Sequence, residues 1–153
     1  YEELFAIAVM EFVHSILRNF IKLSDLQYYD YGIEHLRHGP DYSYCHYPQG
    51  CDPNLLGVLG DFFLALREID FVVVSAQNDN VVHFTLRNEV RHWNASKVIK
   101  EMLQGIGTGG GHIFTAGGIV FDAASYFDEE DMYKRFQEAL VRTLVEPKGR
   151  KNK

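Results

Sequence analysis

The 153-residue sequence contains only two cysteines, four prolines and one tryptophan, and acidic residues outnumber basic ones by 21 to 15. Two cysteines are too few for a disulfide framework, which excludes the class of small disulfide-stapled domains. The formal net charge of −6 argues against strong non-specific binding to nucleic acid, although it leaves room for a local basic pocket. The longest apolar stretch, from Leu4 to Val13, is interrupted by Glu11 and is too short to span a bilayer.

The composition is that of an ordinary globular domain, with 46% hydrophobic and 24% charged residues. The sequence opens at Tyr1 within a helical pattern, and we therefore expect it to be a fragment of a longer protein. No signal peptide precedes the cysteines, and we expect a cytoplasmic protein with reduced thiols, without a membrane partner. The first helix has a wide apolar face, which either packs within the chain or forms a homodimer.

Hydrophobic periodicity and end signals predict most of the helices and strands. Apolar residues at steps of three or four (Phe5, Val9, Phe12, Ile16, Phe20) indicate a helix over residues 2–22. Asp52 is predicted to cap a helix over residues 53–68, and Asn94 a helix that runs to about Leu103. Asp128 is predicted to cap a last helix, which Pro147 ends and whose inner face is formed by Met132, Phe136, Leu140 and Leu144. Strands are predicted over residues 71–74, 82–87 and 118–121, the first two joined by a turn at residues 78–80.

This order of elements predicts an α+β (mixed α/β) fold, with a small central β-sheet flanked by helices. Residues 1–52 are expected to form a helical and irregular connector leading from a missing N-terminal domain. Within it, residues 27–51 show no period, and we expect one helical turn near residues 31–37. Residues 53–147 are expected to form the main domain, and residues 148–153 a basic tail.

Cys45, His46 and Cys51 are the residues whose types suggest a zinc site. Their spacing is not that of the usual short zinc loop, and a fourth ligand is not evident. We therefore expect surface thiols and no metal site in this chain. The tyrosines of residues 27–47 are expected to pack the connector against the domain.

Seven glycines occur among the fourteen residues from Gly105 to Gly118. Glycine lets a ligand approach the backbone closely, and successive exposed N–H groups form a concave anion site that suits phosphate. The run follows a predicted helix rather than a strand, which excludes a dinucleotide-binding fingerprint, and no Lys-Ser/Thr pair follows it, which excludes a P-loop. Composition alone leaves two interpretations open: a phosphate-binding loop, or a tight turn with His112 packed beneath it.

Gly109-Gly110-Gly111-His112, followed by Thr115-Ala116-Gly117-Gly118, resembles the GGGHxxAAG motif of the DHHA1 domain, the C-terminal partner in DHH-type phosphoesterases. Thr85-Leu86-Arg87-Asn88 stands where that family has S-x-R-S, and the resemblance covers roughly residues 55–125. Thr115 replaces the first alanine of the motif, and Thr85 and Asn88 replace both serines. These departures leave the subfamily open.

The resemblance implies that this chain is the substrate-binding part of a RecJ-like hydrolase, while Mn²⁺ or Mg²⁺ ions and the catalytic residues belong to a DHH domain outside it. It implies that Arg87 contacts phosphate or base. It also implies that a nucleotide or short oligonucleotide is held at Gly109, Gly110, Gly111, His112, Thr115, Ala116 and Gly117. The sequence contains no Asp-His-His triplet, and we expect the isolated chain to bind ligand weakly and not to hydrolyse it.

Two other interpretations remain: a regulatory module that senses a nucleotide without catalysis, and a structural or oligomerisation domain with a glycine turn. His83 has the strand parity of Arg87 and, with Arg91 and His92, is a candidate for the groove beside it. Solvated or structural roles are at least as consistent with these residues. Trp93 is expected to be a partly buried anchor rather than a base-stacking residue.

Overall fold

The computed structural model describes residues 2–145, except for the side chains of residues 12–20. The chain divides into two units, Tyr1–Glu34 and His35–Lys153. Helix α1 (Glu2–Phe20) is followed by a short 3₁₀ turn and by α2 (Leu26–His35). The helix predicted over residues 2–22 is thus present. The part of its predicted apolar face formed by Phe12, Ile16 and Phe20 lies outside the described side chains. Pro147 and the basic tail lie outside the described residues.

The second unit contains the remaining elements in the order β1 (Arg37–His38), β2 (Tyr42–Tyr47), α3 (Pro53–Leu64), β3 (Phe71–Asn78), β4 (Val81–Asn88), α4 (Ala95–Met102), β5 (Thr108–Gly111), β6 (Thr115–Phe121), α5 (Ala123–Tyr126) and α6 (Glu129–Arg142). The strands form one sheet in the order β1-β2-β3-β4-β6-β5. Of the strand pairs within residues 2–145, only β2–β3 is parallel, with α3 as the crossover helix, and the others are antiparallel. The predicted α+β class with helices flanking a central sheet is therefore confirmed.

Each face of the sheet is covered differently. Helix α3 packs on one face, through Leu55, Leu59 and Phe63, over β3 and β4. Helices α4 and α6 cover the other face and enclose the main core, in which the Phe136 ring makes tilted contacts with Tyr44 and Phe71 at 6.2 and 5.8 Å between ring centroids. Among the described residues, α3 packs on β3 and β4 and makes no comparable contact with β6 or β5, and we call the α3 side of these two strands the open face.

The three predicted N-caps are confirmed. The carboxylate of Asp52 accepts a hydrogen bond from the backbone N–H of Asn54, Asn94 accepts one from Lys97, and Asp128 accepts one from Asp131. Each satisfies a donor that the first turn of a helix leaves unpaired. The hairpin of β3 and β4 also forms at residues 78–80, where Asp79 adopts a left-handed φ of 55°.

Three predictions about elements are wrong. Residues 27–51 are not irregular, since they contain most of α2 and the strands β1 and β2, and β2 is a buried strand inside the sheet. The strand predicted from residue 118 begins at Thr115, and it pairs with an unpredicted strand, β5. The last helix ends at Arg142, which leaves Leu144 beyond it and exposed rather than on the inner face. No helix within the described residues is long and apolar enough to cross a membrane.

Candidate functional site

The glycine run folds as a β-hairpin, and its closing turn lies at residues 112–115. Gly109, Gly110 and Gly111 lie in β5, directly opposite Gly118, Gly117 and Ala116 of β6. The backbone N–H of His112 donates to the carbonyl of Thr115 at 2.7 Å and closes the turn. Since β5 is the outermost strand of the sheet, one side of its backbone faces no other strand of the described residues.

Two of the glycines are explained by helix packing. A Cβ placed on Gly109 would lie 2.6 Å from Ile99 Cγ1, and one on Gly118 would lie 2.7 Å from Leu103 Cδ1. Distances below 3 Å are incompatible with a real Cβ, so these two positions allow α4 to rest directly on the hairpin backbone. The glycines at these positions serve the fold.

Gly111 is required by the turn itself. Its φ of 151° lies in the region that side chains rarely adopt. A Cβ there would also lie 2.5 Å from the carbonyl oxygen of Thr115 and 2.6 Å from Ala116 Cα. The conformation of the hairpin end therefore depends on glycine at this position.

Gly110 and Gly117, which we call the glycine patch, point to the opposite face of the hairpin. Chain neighbours apart, the nearest described atom to a Cβ on Gly110 would be Lys100 Cε, at 3.8 Å, which is an ordinary contact. For Gly117 it would be the carbonyl oxygen of Phe84, at 3.3 Å. Packing thus leaves Gly110 free to carry a side chain, and its backbone is bare on the open face of the sheet.

Arg87 lies on the same face as the glycine patch. It is paired with Thr115 of β6, while its strand neighbour Thr85 is paired with Gly117. The guanidinium Nε donates to Asp61 Oδ1 at 3.0 Å, and Nη1 donates to the carbonyl of Leu86 at 3.1 Å. The Arg87 side chain is 20% exposed, so it is largely buried but still accessible to solvent.

Gly57 and Gly60 of α3 leave space for the Arg87 side chain, and neither glycine is among the site residues predicted from the sequence. A Cβ on Gly57 would lie 2.9 Å from Nη2 of Arg87, and one on Gly60 would lie 3.2 Å from its Cγ. Residues three apart share one face of a helix, so the two glycines leave a shallow depression along α3. This spacing was a visible signal in the sequence, but its partner on β4 became apparent only in the folded sheet.

His112 lies at the exposed end of the hairpin, where its backbone is fixed on both sides. Its N–H donates to Thr115, and its carbonyl accepts from the backbone N–H of Ser96 at 3.1 Å. The carbonyl of Ile113 likewise accepts from Ala95 at 2.9 Å, so the first N–H groups of α4 hold the hairpin end. The imidazole is therefore carried on a rigid backbone while it stays accessible to solvent.

Asn88 organises the same region from beneath. Its side-chain Nδ2 lies 2.7 Å from the carbonyl of Val90, 2.9 Å from that of Trp93 and 3.0 Å from that of Ile113. Its Oδ1 accepts from the N–H of Val90. The residue is 3% exposed, which makes it a buried junction of the loop, β4 and the hairpin rather than a ligand-facing group.

The candidate ligand-binding residues fall into two groups. Arg87, Gly110, Thr115 and Gly117 share the open face, and His112 stands at its end. Ala116 points to the core and is 6% exposed, so only its backbone faces the hairpin edge. Gly109 and Gly111 shape the hairpin rather than its open surface.

Cys45 and Cys51 are buried, which corrects the expectation of surface thiols. Burial raises the pKa of the Cys45 thiol to about 12, so this thiol stays protonated and unreactive. Cys45 and His46 are consecutive in β2 and point to opposite faces of the sheet, which prevents them from binding one ion. Among the described side chains, no three His, Cys, Asp or Glu residues are grouped as a metal site.

The other residues that the sequence suggested for the groove beside Arg87 do not all lie on its face of the sheet. His83 shares its face, and its Nδ1 lies 3.4 Å from Nδ2 of Asn78. The guanidinium of Arg91 lies 5.7 Å from the ring centroid of Phe114 in the hairpin turn. Trp93 is 7% exposed and donates from Nε1 to the carbonyl of Leu140, which confirms the prediction of an anchor.

A second polar surface, between α4 and α6, carries charges that largely engage one another. Arg135 binds Asp131 at 3.0 Å and also donates to the carbonyl of Met102 at 3.2 Å. Arg142 lies 3.9 Å from carboxylate oxygens of both Glu101 and Glu138. This arrangement fits a solvated contact between two helices and offers a ligand little uncompensated charge.

Comparison with known proteins supports the fold assignment. No protein-family model matches the sequence, and no curated protein matches it. Among solved structures, the chain is similar to the C-Ala domain of Aquifex aeolicus alanyl-tRNA synthetase, with 20% identity, a TM-score of 0.55, and coverage of 69% of this chain and 96% of that one. It is similar to an exopolyphosphatase-related protein from Bacteroides fragilis, with 18% identity, a TM-score of 0.68, and coverage of 87% and 38%.

RecJ from Thermus thermophilus, in complex with Mg²⁺, is also similar, with 18% identity, a TM-score of 0.52, and coverage of 67% of this chain and 15% of that one. At these identities the likeness shows the fold. The expected DHHA1-like domain is therefore confirmed as a fold, and the chain spans less than half of the exopolyphosphatase-related protein and of RecJ.

Proposed function

We propose that this chain holds the phosphate groups of a nucleotide or short oligonucleotide for a metal-dependent phosphoesterase of the DHH type. The proposal rests mainly on one arrangement: a bare backbone patch at Gly110 and Gly117, on the same sheet face as Arg87. Packing among the described residues gives no reason for the missing side chain at Gly110. A ligand that approaches the backbone closely supplies one.

The groups around the patch suit an anion. The guanidinium of Arg87 offers a planar set of N–H donors that matches phosphate oxygens. Its Nε donates to Asp61 and its Nη1 to the carbonyl of Leu86, which leaves Nη2 without a hydrogen-bond acceptor among the described residues. The exposed ring of His112 adds a donor on a rigid backbone. An ion pair with Asp61 fixes the direction of the Arg87 side chain before ligand arrives, which reduces the entropy lost on binding.

Hydrolysis is assigned, in this proposal, to a DHH domain outside the chain. RecJ, whose fold contains a similar domain, has been solved with Mg²⁺ and with Mn²⁺ bound. Such divalent ions activate water and neutralise charge developing on the phosphate. The residues of this chain bind and orient the substrate, and the chain alone is not expected to hydrolyse it.

Isothermal titration of the chain with pAp, cyclic di-AMP and a short RNA tests the proposal. We expect His112→Ala to weaken binding of the accepted ligand by about 1.5–3 kcal/mol, the scale of a hydrogen bond to a charged group. His38→Ala is the matched control, because His38 is an exposed histidine on β1, at the opposite edge of the sheet. Equal affinity of the wild type and of both His112→Ala and Arg87→Ala would leave the hairpin as a structural turn.

Binding without any hydrolysis in the full-length protein would favour the nucleotide-sensing alternative. Metal-dependent phosphodiesterase activity of the chain by itself would contradict the division of labour proposed above. Each outcome is read from product formation, measured beside the titration with and without Mn²⁺.

A further inference from the structure

Lys100 extends its side chain to the glycine patch, although it belongs to the helix on the other face of the hairpin. It lies in the last turn of α4 and is exposed. Its Cε is 3.8 Å from the position that a Cβ on Gly110 would occupy. Gly109 faces the body of α4, and Gly110 faces away from it, so the end of Lys100 reaches round the free edge of β5.

The charge of Lys100 is available to a ligand. Within the described part of the chain, no ion pair involves Lys100, whereas Arg87 is paired with Asp61. The adjacent carboxylate of Glu101 lies 3.9 Å from Arg142, on the side of α4 that faces α6. The end of the Lys100 side chain therefore lies beside the backbone of Gly110, with its charge unpaired among the described side chains.

Lys100 and Arg87 are too far apart to bind one phosphate group. Gly110 is two strands and two residues removed from Arg87, which places their Cα atoms roughly 12 Å apart for ordinary strand spacing. The Arg87 side chain turns further away, towards Gly57 and Gly60 of α3. Since each cation must come within about 4 Å of the oxygen that it contacts, the two cations contact different anionic groups.

We propose that Lys100 binds a second phosphate, and that the ligand is a linear molecule with at least two phosphate groups laid across the hairpin from Arg87 to Lys100. This inference rests on the proposed function and narrows its substrate class. Phosphodiester chains and inorganic polyphosphate share this chemistry. A mononucleotide occupies the Arg87 end alone.

Titration with three probes distinguishes these cases: AMP, the 5′-phosphorylated dinucleotide pApA, and tripolyphosphate. We expect Lys100→Gln to weaken binding of multiply charged probes by about three- to tenfold and to leave AMP affinity within about twofold of the wild type. The slope of log K against log salt should fall by about one phosphate contact for the same probes. Lys100→Arg should restore most of the affinity, since it keeps the charge.

Lys134→Gln is the matched control, because it removes the same charge from an exposed position on α6, which lines the surface between α4 and α6. If Lys100→Gln weakens the binding of pApA alone, the ligand is a phosphodiester chain. If it weakens the binding of both pApA and tripolyphosphate, the recognised feature is the series of phosphate groups itself. Equal loss for AMP, or no loss for any probe, overturns the role of Lys100. If the wild type binds none of the three at millimolar concentration, the proposed function fails together with this inference. Binding that depends on Arg87 but not on Lys100 refutes the inference alone.

Discussion

Asp61 and Arg87 join the helix on one face of the sheet to the strand that borders the glycine patch. The carboxylate Oδ1 of Asp61 lies 3.0 Å from Nε of Arg87, across 26 residues of sequence. The Asp61 side chain is 67% exposed, so the ion pair contributes little stability, and its main consequence is geometric. It holds the guanidinium over the depression left by Gly57 and Gly60.

Gly57→Ala should change the free energy of unfolding and the phosphate affinity in opposite directions. The new methyl group would lie 2.9 Å from Nη2 of Arg87, so the guanidinium must move, which is inexpensive for the end of a flexible side chain. Alanine is the better helix former, so we expect the free energy of unfolding to rise by up to about 1 kcal/mol. Phosphate affinity should fall by about threefold or more, as judged by titration beside urea unfolding.

The companion variant Asp61→Asn removes the ion pair and leaves the depression open. It should change the unfolding free energy by less than about 1 kcal/mol. An unchanged affinity in Gly57→Ala would show that the position of Arg87 in this depression is irrelevant to binding.

Gly110→Ala and Gly111→Ala should behave in opposite ways, although they are neighbours. Alanine at Gly110 meets an ordinary contact at 3.8 Å, and we expect stability within about 1 kcal/mol of the wild type but weaker phosphate binding. Alanine at Gly111 combines a φ of 151° with a 2.5 Å approach to Thr115, and should lower the unfolding free energy by about 2 kcal/mol or more. Urea unfolding and titration of both variants provide the comparison. Equal destabilisation by the two would refute the distinction between a ligand-facing and a structural glycine.

Asn88→Ala should be among the costly single changes at this end of the sheet. It removes the side-chain donor from the buried carbonyl contact of Trp93 and from the part-buried carbonyl contact of Ile113. We expect a loss of about 3 kcal/mol in unfolding free energy. Asn94→Ala, which removes only an N-cap, should cost about 1 kcal/mol and is the control. A cost for Asn88→Ala no larger than that of Asn94→Ala would contradict its role as a buried junction.

His46 should make the protein less stable in acid. Burial lowers its pKa from 6.5 to about 4, and its Nδ1 lies 2.8 Å from the hydroxyl of Ser75. Between these two pKa values the unfolded chain binds a proton that the folded chain does not, so stability is complete above the unfolded pKa and falls as pH approaches the folded one. The loss attributable to His46 should reach about 3 kcal/mol.

Urea unfolding at several pH values, with wild type and His46→Gln, measures this dependence. The variant should have a shallower slope of stability against pH between the two pKa values, whatever its absolute stability. His38→Gln, which alters an exposed histidine, should keep the wild-type slope. Parallel slopes for wild type and His46→Gln would assign the acid sensitivity to other groups.

Elements whose signals are local could be predicted from the sequence. The side chains of Asp52, Asn94 and Asp128 each bond to an N–H group within three residues, so the starts of α3, α4 and α6 are encoded in short stretches of sequence. The alternation of β4 is equally local, because one of its faces is buried and the other is not. The resemblance of the glycine motif also pointed to the correct fold.

The conformations of β2 and β5 depend instead on tertiary packing. Strand β2 is buried along nearly its whole length, so it lacks the alternation that reveals a half-exposed strand. Strand β5 is three-quarters glycine, which has no intrinsic preference for a strand, and pairing with β6 under the close approach of Ile99 gives it that conformation. The same long-range packing brings Gly57 and Asp61 to Arg87 and Lys100 to Gly110, because contacts between separate elements depend on how the sheet is assembled and leave no periodic trace along the chain.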